Sequence, residues 1–140
     1  MGNTGDPFVG KWVLNTTYSQ FDKNHQPSAA AMAFELDAAG QYLMTAEGVD
    51  GNGKPVVERP QRMIPDGRDY PVPDFNELVA KTVRVDARTL RAECHRQDGS
   101  LVGQGVFAVS ADGRWLTATN SGFDSQLREF TQRTIWDRVD

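Results

Sequence analysis

The sequence of this 140-residue chain predicts an all-β protein, an antiparallel up-and-down β-barrel of eight to ten strands. Two observations carry this prediction. Short extended segments alternate with turn signals, and no segment has the length and periodicity of an amphipathic helix. The turn signals are Asp37–Gly40, Asp50–Gly53, Pro65–Gly67, Gln97–Ser100 and Ala111–Gly113. Hairpin follows hairpin without long crossovers, and closing the sheet removes its two unpaired edges, so a barrel is favoured over a sandwich or an open sheet.

The strands are assigned from alternation and from the turn residues that bound them. The predicted strands are Val9–Asn15, Ala29–Leu36, Tyr42–Glu47, Val56–Ile64, Leu78–Val85, Leu90–Arg96, Leu101–Ser110, Trp115–Asn120 and Leu127–Arg138. Pro60 weakens its strand and fits best at an edge or a bulge. Thr16–Ser28 and Asp66–Asn76 break the alternation with proline, aspartate and asparagine, so both are predicted to be loops.

Length and cysteine content indicate one domain that folds without covalent staples. Residues 1–8 are assigned to an N-terminal tail and residues 9–140 to a single barrel domain. A chain of this length buries about two-thirds of the surface of its unfolded form. Cys94 is the only cysteine, which excludes an intrachain disulfide and cysteine-based metal clusters.

The charge and hydropathy of the chain argue against nucleic acid and membranes as partners. The net charge of −4 argues against a general affinity for nucleic acid. No apolar run has the length of a membrane span, and the N-terminus lacks the regions of a signal peptide. We therefore expect a soluble protein, either cytoplasmic or exported with its signal removed, and the oligomeric state stays open.

Motifs for cofactor chemistry are absent from the sequence. It contains no phosphate-binding glycine loop, nucleophile elbow, zinc-ligand spacing or dinucleotide fingerprint. We expect neither a cofactor nor a metal.

The segment Gly10-Lys11-Trp12 resembles the opening motif of lipocalins and related calycin barrels. In that family the tryptophan plugs the closed end of the barrel and an arginine from near the last strand packs over it. The resemblance implies that Arg133 or Arg138 has this role. Further segments resemble a bacterial group of small lipocalin-like proteins of unassigned function; these are Asp6–Trp12, Glu47–Pro55, Asp66–Val72 and Ser110–Arg114. That group brings no catalytic residues. The chain departs from true lipocalins because it lacks their disulfide, and from fatty-acid-binding proteins because Thr16–Ser28 is short for a two-helix lid.

An interior cavity is the first candidate site, because barrels of this size hold one small ligand or fill themselves with side chains. Gly103 and Gly105 share one strand face with Phe107 and leave space there. The predicted lining residues are Trp12, Phe34, Tyr42, Met44, Phe107 and Trp115, with Tyr70 near the entrance and Trp136 as a further member of the aromatic set. The first hypothesis is binding of a small hydrophobic or aromatic molecule without chemistry.

The alternative hypothesis is a cofactor-independent isomerase, cyclase or lyase in the same cavity. Its candidate catalytic residues are Tyr42, Tyr70, Glu47 and His95. Tyr70 would either bond a ligand or anchor its own loop. His95 would pair with Glu93 in a polar interior, or lie in solvent if Cys94 and its alternate neighbours face inward. An unpartnered titratable group on the inner face would favour the enzyme. A third hypothesis, an interaction module, requires an exposed apolar patch.

Overall fold

The computed structural model describes residues 6–20, 29–49, 52–57, 60–72, 75–123 and 129–139. The regular elements in these ranges are all strands: β1 (Gly10–Gln20), β2 (Ala29–Leu36), β3 (Tyr42–Val49), β4 (Pro55–Val57), β5 (Gln61–Met63), β6 (Asp66–Val72), β7 (Phe75–Asp86), β8 (Thr89–Arg96), β9 (Leu101–Val109), β10 (Trp115–Phe123) and β11 (Glu129–Val139). Within the same ranges no helix has the length and apolarity to cross a membrane.

The strands form one antiparallel up-and-down sheet, which confirms the predicted fold class. Its order is β4-β3-β2-β1-β11-β10-β9-β8-β7-β6, and β5 also pairs with β3. Pairing of β1 with β11 joins the two ends of the chain. The closure expected of the barrel is not observed among the described residues, because β6 makes no ladder with β4 or β5. The described residues form eleven strands instead of the predicted eight to ten, because the run Val56–Ile64 contributes two short strands, β4 and β5, and β6 lies in a predicted loop.

In the predicted loop Asp66–Asn76, residues 66–72 instead form β6 and residues 75–76 begin β7. The β6 strand ends the sheet and exposes most of its side chains, so it needs no apolar alternation. Pro71 is compatible with this position because an edge strand tolerates a missing N–H donor.

The predicted loop that begins at Thr16 also begins as strand, since β1 continues to Gln20. A bulge separates Asn15, paired with Ile135, from Gln20, paired with Arg133. Polar side chains bond the bulged backbone: the amides of residues 17 and 18 each donate to Asn15 Oδ1 at 3.1 Å. Ser19 Oγ accepts the Ile135 amide at 2.8 Å. The rest of this predicted loop, residues 21–28, lies outside the described residues.

Large apolar side chains fill one end of the sheet's inner face, which we call the packed end. Its fully buried members are Phe8, Trp12, Phe34, Tyr42, Leu90 and Leu116. Phe8 belongs to the segment assigned to a tail, yet its ring lies 5.9 Å from those of Phe34 and Tyr42. Phe8 is therefore part of the core.

Trp12 and Arg138 hold the packed end together. The lipocalin resemblance left open whether Arg133 or Arg138 packs over Trp12, and in the structure it is Arg138. The Arg138 guanidinium lies 4.2 Å from the centre of the Trp12 ring. It donates to the carbonyls of Val9 (2.8 Å), Pro7 (2.5 Å) and Gly113 (2.6 Å). Gly10 makes room for it, because a Cβ there would lie 2.6 Å from Arg138 Nη1.

A second polar group borders the packed end. The Tyr42 hydroxyl donates to Asp6 Oδ2 and accepts a bond of 2.5 Å from Arg84 Nη2. The guanidinium of Arg84 also lies 3.8 Å from the Asp6 carboxylate. Burial, reinforced by the bond to Asp6, raises the pKa of Tyr42 to about 12.

Replacing Arg138 by methionine should destabilise the protein by about 3 kcal/mol, because the change removes three charge-assisted hydrogen bonds and the contact with Trp12. Urea unfolding would measure the loss. Arg133→Met is the matched control, since Arg133 lies exposed on the outer face of the same strand. Equal losses in the two variants would contradict the assigned role of Arg138.

Ionisation of Tyr42 should lower the free energy of unfolding steeply in alkaline solution. Its pKa of about 12 exceeds the ordinary value of 10.0, so the folded state holds this proton more tightly than the unfolded state. The resulting stabilisation is complete below pH 10 and is lost as pH rises toward 12. In Tyr42→Phe, urea midpoints measured across this range should decline less than in the parent protein. Tyr18→Phe removes a hydroxyl from a residue that is 73% exposed, and its profile should match the parent.

Candidate functional site

Away from the packed end, the inner face carries a row of small and amide side chains in register across four strands. Ala92 of β8 pairs with Gly105 of β9, Gly105 with Asn120 of β10, and Asn120 with Gln132 of β11. We call these four residues the amide row. They face inward because they alternate with outward residues and share their faces with buried side chains such as Leu90.

The absence of a side chain at Gly105 leaves the space that the Asn120 side chain occupies. A Cβ at position 105 would lie only 2.5 Å from Asn120 Oδ1. The Asn120 carboxamide therefore extends over β9 in the space left by the glycine. A side chain at residue 105 would have to displace this carboxamide, whose end is free to rotate.

Gln132 presents an acceptor whose hydrogen-bonding capacity is unused. Its Oε1 atom is buried and accepts no hydrogen bond from the described residues. The nearby polar side chains are occupied with each other, since Trp136 Nε1 donates to Thr134 Oγ1 at 2.9 Å. Thr134 in turn donates to the Ala118 carbonyl at 3.3 Å. An unpaired buried acceptor costs about 1–3 kcal/mol.

Apolar side chains around the amide row share the inner face with the core but keep partial exposure. These are Met44, Ala46, Phe107 and Trp136. The side chains of the packed end are, by contrast, fully buried. Solvent therefore reaches an apolar wall on the inner face, and this wall together with the amide row is the candidate site.

The predicted lining residues separate into three groups. Trp12, Phe34 and Tyr42 lie in the packed end, while Met44 and Phe107 lie on the apolar wall. Trp115 does not line the interior: it is 53% exposed on the outer face of β10, because its neighbour Leu116 takes the inward position.

Tyr70 lies in β6 rather than in a loop. Its hydroxyl donates to Asp66 of the same strand, and this bond raises the pKa of Tyr70. The tyrosine thus anchors its own segment, which is the structural alternative weighed from the sequence.

The remaining candidate catalytic residues are not brought together. Glu47 is exposed on the outer face of β3. His95 Nε2 lies 3.2 Å from Glu93 Oε2, and both residues alternate with the inward-facing Cys94. Burial raises the pKa of the Cys94 thiol, which disfavours its nucleophilic thiolate. Tyr42 is bonded to Asp6 and Arg84. Each of the four candidates is therefore either bonded to a neighbour or directed outward.

No cluster of three or more His, Cys, Asp or Glu side chains able to hold a metal occurs in the part of the chain that the structure describes.

The outer face of β1, β2 and β3 carries a shallow groove of about 440 Å³. Its floor includes Val13, Ala31 and Ala33, and Pro60 borders it. The groove is separated from the inner face by the sheet itself.

Sequence reasoning missed Asn120 and Gln132. Both are polar residues in strands, and a polar side chain is ordinarily placed on the solvent side. The glycine at position 105 was the available signal, because it marks a strand face that another group must fill.

No family model and no curated protein sequence matches this chain. Solved structures do match. The fluorescent protein UnaG is similar with a TM-score of 0.60 and 11% identity, covering 94% of this chain and 97% of that one.

As-p18, an extracellular fatty acid binding protein, is similar with a TM-score of 0.53 and 10% identity, covering 96% and 97% of the two chains. A redesigned β-barrel is similar with a TM-score of 0.51 and 13% identity, covering 96% and 93%. At these identities the likeness shows the fold alone, an antiparallel up-and-down arrangement of strands that this chain shares with these proteins.

Proposed function

We propose that this protein binds a small, largely apolar molecule on the inner face of its sheet, between the apolar wall and the amide row. The observation that carries the proposal is the contrast in burial along one face. Phe107 and Trp136 are apolar, face inward and remain partly exposed, whereas Trp12 and Leu116 on the same face are fully buried.

Apolar area that stays accessible inside a concave sheet is a source of binding energy. Each Å² that a ligand covers contributes about 25 cal/mol. Ligand sites in proteins combine such walls with a few polar groups that fix orientation. Asn120 and Gln132 supply these groups here. The fatty acid binding protein among the similar structures supports the proposal by fold only.

The packed end supplies rigidity for this site. Phe34 contacts Phe107 with ring centroids 6.2 Å apart, so the wall packs directly against the core. A preformed wall reduces the ordering cost of binding.

Gly105→Leu should weaken binding of the neutral dye Nile red by at least about tenfold, because the new side chain occupies the space beneath the ligand and displaces Asn120. Dye fluorescence titrations would measure the affinity. Circular dichroism would report the fold, which should persist because the obstructing atom lies at the end of a flexible side chain.

Gln104→Leu is the matched control, since it adds the same residue one position away on the exposed outer face. It should leave dye affinity unchanged. Equal weakening by both substitutions would place the dye elsewhere, and a parent protein that binds no neutral apolar probe would refute the proposed function.

A further inference from the structure

Between the amide row and the packed end lies a second row of inward-facing residues, in register across β8–β11. We call these four residues the floor row: Leu90, Phe107, Ala118 and Thr134. Leu90, Ala118 and Thr134 are buried, whereas the Phe107 side chain keeps partial exposure. Phe107 is therefore the member of this row that an apolar ligand can contact.

Phe107 spans the boundary between the packed end and the amide row. On one side its ring centroid lies 6.2 Å from that of Phe34, which is 1% exposed. On the other side its Cε2 atom lies 3.7 Å from the position that a Cβ of residue 105 would take. The ring therefore separates the core from the candidate site, and its removal would open the site towards Phe34.

The strands β2 and β3 show the same change from buried to accessible side chains. On β2, Met32 is buried, and Ala30, the next inward residue away from the packed end, is partly exposed. On β3, Tyr42 is buried, and Met44 is partly exposed. Because protein interiors are close-packed, the side chains of the packed end leave no room there for a ligand chain.

The accessible part of the inner face is short. On the described strands β9, β10 and β11, two inward rows lie between the floor row and the strand ends, the amide row and the row of Gly103, Gly122 and Phe130. These two rows correspond to four residues of strand, or about 13 Å. The strands of small β-barrels are tilted by about 40°, so the depth along the axis is about 10 Å.

We infer that the site is a cup about 10 Å deep with Phe107 at its floor, and that it selects apolar ligands of up to about eight carbons in length over long-chain lipids. This inference rests on the proposed function and specifies its ligand class. An extended chain spans about 3.5 Å for every three bonds, so this depth accommodates about eight or nine bonds. Carbons beyond that length stay in solvent and add no apolar burial.

A series of neutral 1-alkanols from hexanol to dodecanol tests the inference on the unaltered protein. Each alcohol would be titrated as a competitor against bound Nile red. Each methylene buried in the cup should raise the affinity about fourfold, as expected for its transfer out of water. The rise should stop near octanol, and the further methylenes of dodecanol should add less than about twofold in total, because they remain in solvent.

Phe107→Ala then identifies the residue that sets the length limit. Loss of the ring opens the cup towards Phe34, so decanol should bind this variant about tenfold more tightly than octanol does. In the parent protein the two affinities should agree within about twofold. Val106→Ala is the matched control, because it shortens the adjacent residue, which faces outward on β9, and it should leave the limit unchanged.

Failure of this inference is distinguishable from failure of the proposed function. If the affinity keeps rising about fourfold per methylene through dodecanol, the length limit is wrong while an apolar site remains. If Nile red binds but no alkanol displaces it, the inference is again overturned. If Nile red and every alkanol fail to bind, the proposed function fails and the inference fails with it.

The variant has its own contradicting outcome. If Phe107→Ala lowers every affinity without moving the limit, Phe107 belongs to the wall and not to the floor, and its assignment is overturned. Circular dichroism would report the fold of the variant. The alkanol series on the unaltered protein tests the length limit even where Phe107→Ala does not fold.

Discussion

The rest of the structure depends on the contact between Arg138 and Trp12. One guanidinium covers the indole and bonds carbonyls from the N-terminal segment and from the β9–β10 turn. It thereby connects both ends of the chain to one hairpin. Gly10 is required for this arrangement because any side chain there would meet the guanidinium. With the chain ends fixed, β1 and β11 pair and the ten-strand path is continuous.

This organisation separates the groups that stabilise the fold from those available to a ligand. The titratable side chains near the packed end, Tyr42, Asp6 and Arg84, are bonded to each other. Asn120 and Gln132, which lie on the inner face away from this end, take no part in these bonds. Of the four candidate catalytic residues, Tyr42, Tyr70 and His95 are bonded to neighbouring side chains, and Glu47 is directed outward.

Local chemistry made much of the fold predictable. Turn signals such as Ala111–Gly113 act within a few residues: Gly113 has a φ of 76°, and Asp112 Oδ1 accepts the Arg114 amide at 3.0 Å. Strand facing was less predictable, because it depends on register across the sheet. Of the neighbours Trp115 and Leu116, the larger faces solvent. Gln132 was missed for the same reason. That a polar side chain faces inward can be inferred only from the residues with which it pairs on the neighbouring strand.

Among the described residues the sheet is not closed, which leaves two strand edges. Prolines on these edges reduce the number of backbone amides that can donate a hydrogen bond. Pro55 and Pro60 lie along one edge and Pro71 lies in the strand at the other. A proline has no amide hydrogen, so at these positions the edge cannot donate to an incoming strand. Edge strands with free donors are templates for aggregation. The same residues that interrupt the β pattern of the sequence therefore remove donors from both edges of the described sheet.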